Sequence, residues 1–172
     1  MKIINVCDYA TEIMKKLKKG ILITTKKDDK VNTMTISWGH LGIEWNIPIF
    51  VCYIRKSRHT YSMLDTAEFT VNIPLKNTSV KEITTFCGKN SGKNVDKIAA
   101  LDLHLVNGQK VCVPAIKELP LTLECKVIHT QVQDSSKLPH TIQDHFYPLD
   151  ATGKPDNHVL FYGQIVQAYI VE

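Results

Sequence analysis

The chain has 172 residues, of which 44% are hydrophobic and 22% charged, with a formal net charge of +4. That length suits one hydrophobic core and one domain spanning residues 1–172, with no apolar run near the ~18 residues of a membrane span. The lysine clusters at Lys15–Lys19, Lys26–Lys30 and Lys89–Lys97 carry interspersed acids and no interleaved aromatics. They read as solvated faces rather than a nucleic-acid stripe.

The opening residues lack the long apolar run of a signal peptide, which makes the cytosol the expected location. Asp8 is a candidate N-cap for a first helix, with Tyr9, Ile13, Met14 and Leu17 at helical spacing and Gly20 as its left-handed stop. Ile21–Thr25 and Val31–Ser37 flank the polar turn Lys26–Lys30 and form a hairpin. In the second strand Asn32, Met34 and Ile36 face one side, and Thr33, Thr35 and Ser37 the other. Three hydroxyls on one face suit either an exposed face or a flat polar ligand. Trp38–Trp45 reads as a glycine-bearing loop with two tryptophans, and Pro48–Ile54 as a strand buried on both faces.

That strand runs into Arg55-Lys56-Ser57-Arg58-His59-Thr60, and His59–Leu64 reads as a short helix. Guanidinium forks, hydroxyls and a helix start suit a phosphate. Glu68–Pro74 is a further strand, and Ser79-Val80-Lys81-Glu82 a capping box for a helix to about Phe86. The loop Cys87–Lys97 fails as a P-loop: the glycine spacing is one short, Asn94 stands where Ser or Thr is required, and a helix precedes it.

Asn107-Gly108 between Leu103–Val106 and Lys110–Val113 signals a second hairpin. Leu119–Thr130 alternates Leu121, Leu123, Cys125 and Val127 against Thr122, Glu124 and Lys126. Gln131–Gly153 is polar, with a short helix around Thr141–His145. His158–Val171 is apolar on both faces, with Gly163 as a bulge or close approach, which suggests a barrel seam or subunit interface. The fold class is mainly β, a barrel with short helices.

The five cysteines are odd in number and without CxxC, against a disulfide framework or zinc site. Cys52 and Cys125 read as core residues, and Cys87 as the one candidate for reactivity. His140, His145 and His158 read as solvated or locally hydrogen-bonded rather than as a metal set, and His40 as a possible ligand contact.

Five segments in this order resemble the flavin reductase-like, FMN-binding split-barrel proteins, on the flavoredoxin-like branch. They are Asn32–Gly39; Arg55–Thr60; Phe69–Pro74; Cys87-Gly88 with Ser91-Gly92 and Asp96-Lys97; and Leu123–Val127 followed by His158 and Gly163. The resemblance implies a split β-barrel binding FMN at a homodimer interface. It implies that Thr33, Met34, Thr35, Ile36 and Ser37 line the flavin, with Trp38 beside it. It gives Arg55, Ser57, Arg58 and Thr60 the phosphate, and Ser91 and Lys97 a contact that can reach a flavin on the partner subunit. The implied activity is NAD(P)H:flavin reduction, with NADH or NADPH as donor, or flavoredoxin-like electron transfer to a redox partner protein. No side chain is needed as catalytic acid or base. The alternative is a non-catalytic protein that stores flavin or senses redox state.

Overall fold

A computed structural model describes residues 1–64, 67–75 and 80–172. Gly20, at φ 104°, does end helix α1 (Ala10–Leu17), but the first cap is not Asp8. Asn5 accepts from the Cys7 N–H and starts a short 3-10 turn that feeds α1. Strands β2 (Ile21–Lys27) and β3 (Lys30–Ile36) form the expected hairpin.

The Trp-Gly segment is the first large departure from expectation. It is strand β4 (Gly39–Glu44), paired antiparallel with β5 (Ile47–Arg55). The turn between them is Trp45-Asn46, both at positive φ (50° and 60°). That geometry is usually signalled by Asn-Gly, so a bulky Trp concealed it.

After α2 (His59–Met63) come β6 (Glu68–Ile73), α3 (Lys81–Lys89) and α4 (Lys97–Ala100). Ser79 of the expected capping box lies outside the described residues. Helix α3 runs past Phe86 through Cys87 and Gly88, so Cys87 is buried in a helix rather than set in a loop. Short β7 (Leu105–Val106) pairs with β8 (Ala115–Ile116), not with 110–113. The Asn107-Gly108 hairpin fails because the backbone N–H groups of Gln109 and Lys110 donate to the carboxylate of buried Glu124, at 2.7 and 2.6 Å. A buried carboxylate needs such donors, and this requirement outweighs the local turn preference.

The chain closes with β9 (Leu121–Val132), α5 (His140–Phe146) and β10 (His158–Ile170). The large sheet runs β3-β2-β6-β9-β10-β5-β4, with β1 (Lys2–Ile3) added to β10. All its pairings are antiparallel. Strand β10 is therefore central, between β9 and β5, which explains its two apolar faces without a barrel seam. The two outermost strands, β3 and β4, are joined by Ser37-Trp38 alone. Two residues span roughly 7 Å, with a little more from the flanking bonds. The edges must therefore meet at that end, and the sheet has to curl into a barrel that stays split between β3 and β4.

The barrel interior is apolar: Ile21, Ile23, Phe50, Ile54, Phe69, Val71, Leu123 and Phe161 are among its buried residues, closed off by Ile13 and Leu17 of α1. The opposite face of β2, β6 and β9 is polar yet buried. Thr24 donates to Asn72 Oδ1 at 2.8 Å, Asn72 Nδ2 to Thr122 at 3.3 Å, and Thr70 to the Pro114 carbonyl at 2.8 Å. Thr33 and Thr35 join this face: Thr33 donates to the Ile23 carbonyl at 3.2 Å and Thr35 to the Thr84 carbonyl of α3 at 2.6 Å. Both hydroxyls are turned toward protein carbonyls.

Gly163 lies at a register shift in the β10–β9 ladder, as its position suggested. A Cβ there would run into the Phe69 ring and meet Cys125 Cβ at 2.9 Å. Gly163→Ala should lower unfolding free energy by about 1–3 kcal/mol through overpacking. Urea unfolding measures this, and an unchanged midpoint would show that the close approach is absent.

Candidate functional site

The split between β3 and β4 opens into two adjoining clefts. The first, about 280 Å³, has Met34–Trp38 on one side and Tyr53, Arg55, Phe146 and His158 on the other. The second, about 130 Å³, is lined by Ser57, Arg58, Thr60, Ser91 and Lys97 together with the α3 end at Cys87-Gly88. They share Met34 and Arg58. Among the described residues strand β3 pairs with β2 along one edge and with no other strand, so alternate backbone N–H and C=O groups along its other edge lack a ladder partner there.

Eleven of the twelve residues singled out in the sequence line one or both clefts; buried Thr33 lines neither. Arg55 and Ser57 have protein partners of their own. Arg55 donates to the carbonyls of Asp156 and Phe146, each at 2.6 Å, with its guanidinium 5.2 Å from the Tyr147 ring centre. It thereby fastens α5 and the segment after it to the barrel. Ser57 donates to the Asp156 carboxylate at 2.6 Å.

The Arg58 guanidinium has no hydrogen bond or ion pair among the described residues, whereas its backbone N–H donates to the Arg55 carbonyl at 3.0 Å. Lys97 is 3% exposed, and among the described residues its ammonium meets only the Asn90 carbonyl, at 3.2 Å, with no ion pair to a carboxylate. Burial pushes its pKa down, and the Cys87 thiol partly opposes this. Two cations facing one cleft without a counter-charge form an anion site by elementary electrostatics. The Thr60 hydroxyl accepts from Asn32 Nδ2 at 2.9 Å and keeps its own proton free to donate. Cys87, the one candidate for reactivity among the cysteines, also lines this cleft, and burial raises its thiol pKa, which disfavours the thiolate.

The wall formed by Tyr53, Phe146 and His158 escaped the sequence reading. His158 sits opposite Arg55 in the β10–β5 register, and its ring packs 4.9 Å from Trp38. Phe146 stacks edge-on against Trp38 at 5.1 Å. The Tyr147 hydroxyl donates to Gln133 Oε1 at 2.7 Å and accepts from His158 Nδ1 at 2.9 Å. That chain fixes the tautomer and leaves Nε2 as an acceptor. Burial, then the charge of Arg55, lowers the His158 pKa to about 4. His158 is thus locally hydrogen-bonded as expected, while His140 and His145 are exposed. His40 packs 5.8 Å from Tyr53 and lines neither cleft.

The model of the flavin reductase like domain matches residues 14–172. The chain belongs to the flavin reductase-like family. An uncharacterized protein of Archaeoglobus fulgidus is 34% identical over 101 residues, 58% of this chain and 55% of that protein, so the match spans about half the relative's length. Flavoredoxin from Methanosarcina acetivorans is 26% identical, with 89% of this chain and 68% of that one superposed at a TM-score of 0.66. An FMN-binding protein from Thermus thermophilus, 19% identical over 88% of this chain and 69% of its own, shares the fold at a TM-score of 0.67. This flavin reductase-like chain has their split barrel, with its clefts at the β3–β4 opening.

The His158 shift carries a pH dependence. Its folded pKa of about 4 lies below the ordinary 6.5, so the neutral ring's contribution is complete above pH 6.5. It is lost as pH falls toward 4, by about 2–3 kcal/mol. Urea unfolding of wild type and His158→Gln at pH 7, 5.5 and 4 should show a steeper decline for wild type, and parallel profiles would contradict the assignment.

Proposed function

We propose that this chain is an FMN-dependent oxidoreductase, an NAD(P)H:flavin reductase or a flavoredoxin-like electron carrier, built as one domain over residues 1–172 and working as a cytosolic homodimer. The observation that carries the reading is the pairing of the two clefts. One offers an unpaired strand edge and aromatic walls, and the adjoining one offers uncompensated cations, as a flat ring with a phosphate tail requires.

The donor set fits FMN. Arg58, Lys97, Thr60 and Ser91 would hold the phosphate, with Ser57 at the margin. The backbone of Met34, Thr35, Ile36 and Ser37 would meet the ring's oxygens and nitrogens, with Trp38 beside it. Thr33 would act from beneath by fixing the strand, and Arg55 by holding Phe146 and His158 in place. When bound, FMN supplies the hydride- and electron-accepting chemistry. The chain's own part is to orient the ring, exclude water with Trp38 and Phe146, and present positive charge and N–H groups where negative charge develops. Neutral His158 offers the cleft an acceptor and no acid, in keeping with an activity that needs no catalytic side chain. Exposed Ile43 on β4 and Trp38 and Trp45 just beyond its two ends, at 64, 38 and 59%, give a second copy an apolar edge to cover. A nicotinamide or a redox protein would approach through the same opening.

The test is FMN binding followed by flavin fluorescence. Arg58→Ala and Lys97→Met should each weaken FMN by about 1.5–3 kcal/mol, the worth of a charge-assisted bond. Full FMN affinity in the double variant would overturn the phosphate assignment, and a wild-type protein that takes up no FMN would overturn the reading itself.

A further inference from the structure

The second cleft gathers basic side chains and no acid. Arg58, His59 and Lys97 line it, and no carboxylate stands among the described residues of its wall. Asp96 precedes Lys97 in the chain, but its Oδ1 accepts from the backbone N–H groups of Ile98 and Ala99, at 3.0 and 3.1 Å, as the cap of α4. Asp29 and Asp96 line a neighbouring cleft past His59 and Gly92, together with Lys30 and Lys93. On the near side, Lys97 presents a buried amine held by the Asn90 carbonyl at 3.2 Å, with Arg58 in the same wall.

Desolvation and an adjacent cation are two means by which a lysine is kept partly neutral, and therefore nucleophilic. Both act on Lys97: burial lowers its pKa most, and the charge of Arg58 adds to this against the Cys87 thiol. Holding an FMN phosphate uses the ammonium form alone and leaves this amine chemistry unused. The cleft measures about 130 Å³, well under the roughly 300 Å³ at which pockets take drug-sized ligands. A ligand confined to it is a phosphate with a short carbon chain.

We infer that the second cleft receives a small phosphorylated aldehyde, with its phosphate on the Arg58 guanidinium and Thr60 hydroxyl and its carbonyl carbon bonded to Lys97 Nζ. The neutral amine adds to the carbonyl carbon, and a proton passes from nitrogen to oxygen to give a carbinolamine. The carbinolamine then loses water as its C–O bond breaks and the C–N bond becomes double, so the imine forms with no oxidant or reductant. This ligand takes the place of the FMN phosphate. The inference thus shares the anion site of the flavin reading above but needs no flavin.

The probes are glycolaldehyde phosphate and unphosphorylated glycolaldehyde, trapped with cyanoborohydride and mapped by peptide mass spectrometry in wild type, Arg58→Ala and Lys97→Met. Wild type should be labelled at Lys97 saturably, about tenfold faster than at any exposed lysine. Labelling of Lys97 should fall about tenfold in Arg58→Ala and with the unphosphorylated aldehyde, through loss of a charge-assisted bond. The saturable phase should vanish in Lys97→Met, and inorganic phosphate and FMN should both protect Lys97 in wild type. Labelling confined to exposed lysines, or Lys97 labelled equally by the two aldehydes, would overturn the inference. Protection by inorganic phosphate but not by FMN would support it and strike the flavin reading instead.

Discussion

A two-residue connection governs this molecule. Ser37-Trp38 must carry the chain from one outer strand of the sheet, β3, to the other, β4. So short a link draws the edges together at one end, and the twist of the sheet does the rest. The edges do not pair along their length, and the resulting split is what a ligand can enter. Trp38 sits at the hinge of this arrangement, packed between Phe146 and His158.

The second constraint is how the cations are distributed. Arg55 and Arg58 stand three residues apart with different surroundings. The first donates to two backbone carbonyls and fixes the α5 wall, whereas the guanidinium of the second faces the clefts with no partner among the described residues. Lys97 reaches the same place from α4, nearly forty residues later, buried with a single carbonyl for company. A buried ammonium without a carboxylate costs stability, and an arriving phosphate relieves that cost. The polar network of Thr24, Asn72 and Thr122 has the opposite character: it is internally bonded, and it holds strand β3 so that its free edge is presented in one place.

Much of this was legible in the sequence. Alternation and turn residues gave the β2–β3 hairpin, and Gly163 announced its close approach to Phe69. Hydroxyls and guanidinium groups drew attention to Arg55–Thr60. What escaped depended on partners distant in sequence. Strand β4 looked like a loop because glycine and tryptophan are poor strand signals until β5 pairs with them. Glu124 annulled the Asn107-Gly108 hairpin from outside the segment, through two backbone N–H groups. The hydroxyls of Thr33 and Thr35 suggested a ligand face, and the structure turns them toward Ile23 and α3. The wall at Phe146 and His158 lies about ninety or more residues beyond Arg55, and only the motif order ending in His158 and Gly163 hinted at it.

The most direct measurement is a crystal structure of the protein soaked with FMN. The phosphate should lie within hydrogen-bonding distance of Arg58 and Lys97, with the ring against the free edge of β3 between Met34 and Trp38. A phosphate bound at Arg55 after displacement of the Phe146 and Asp156 carbonyls, or a flavin outside the β3–β4 split, would contradict it.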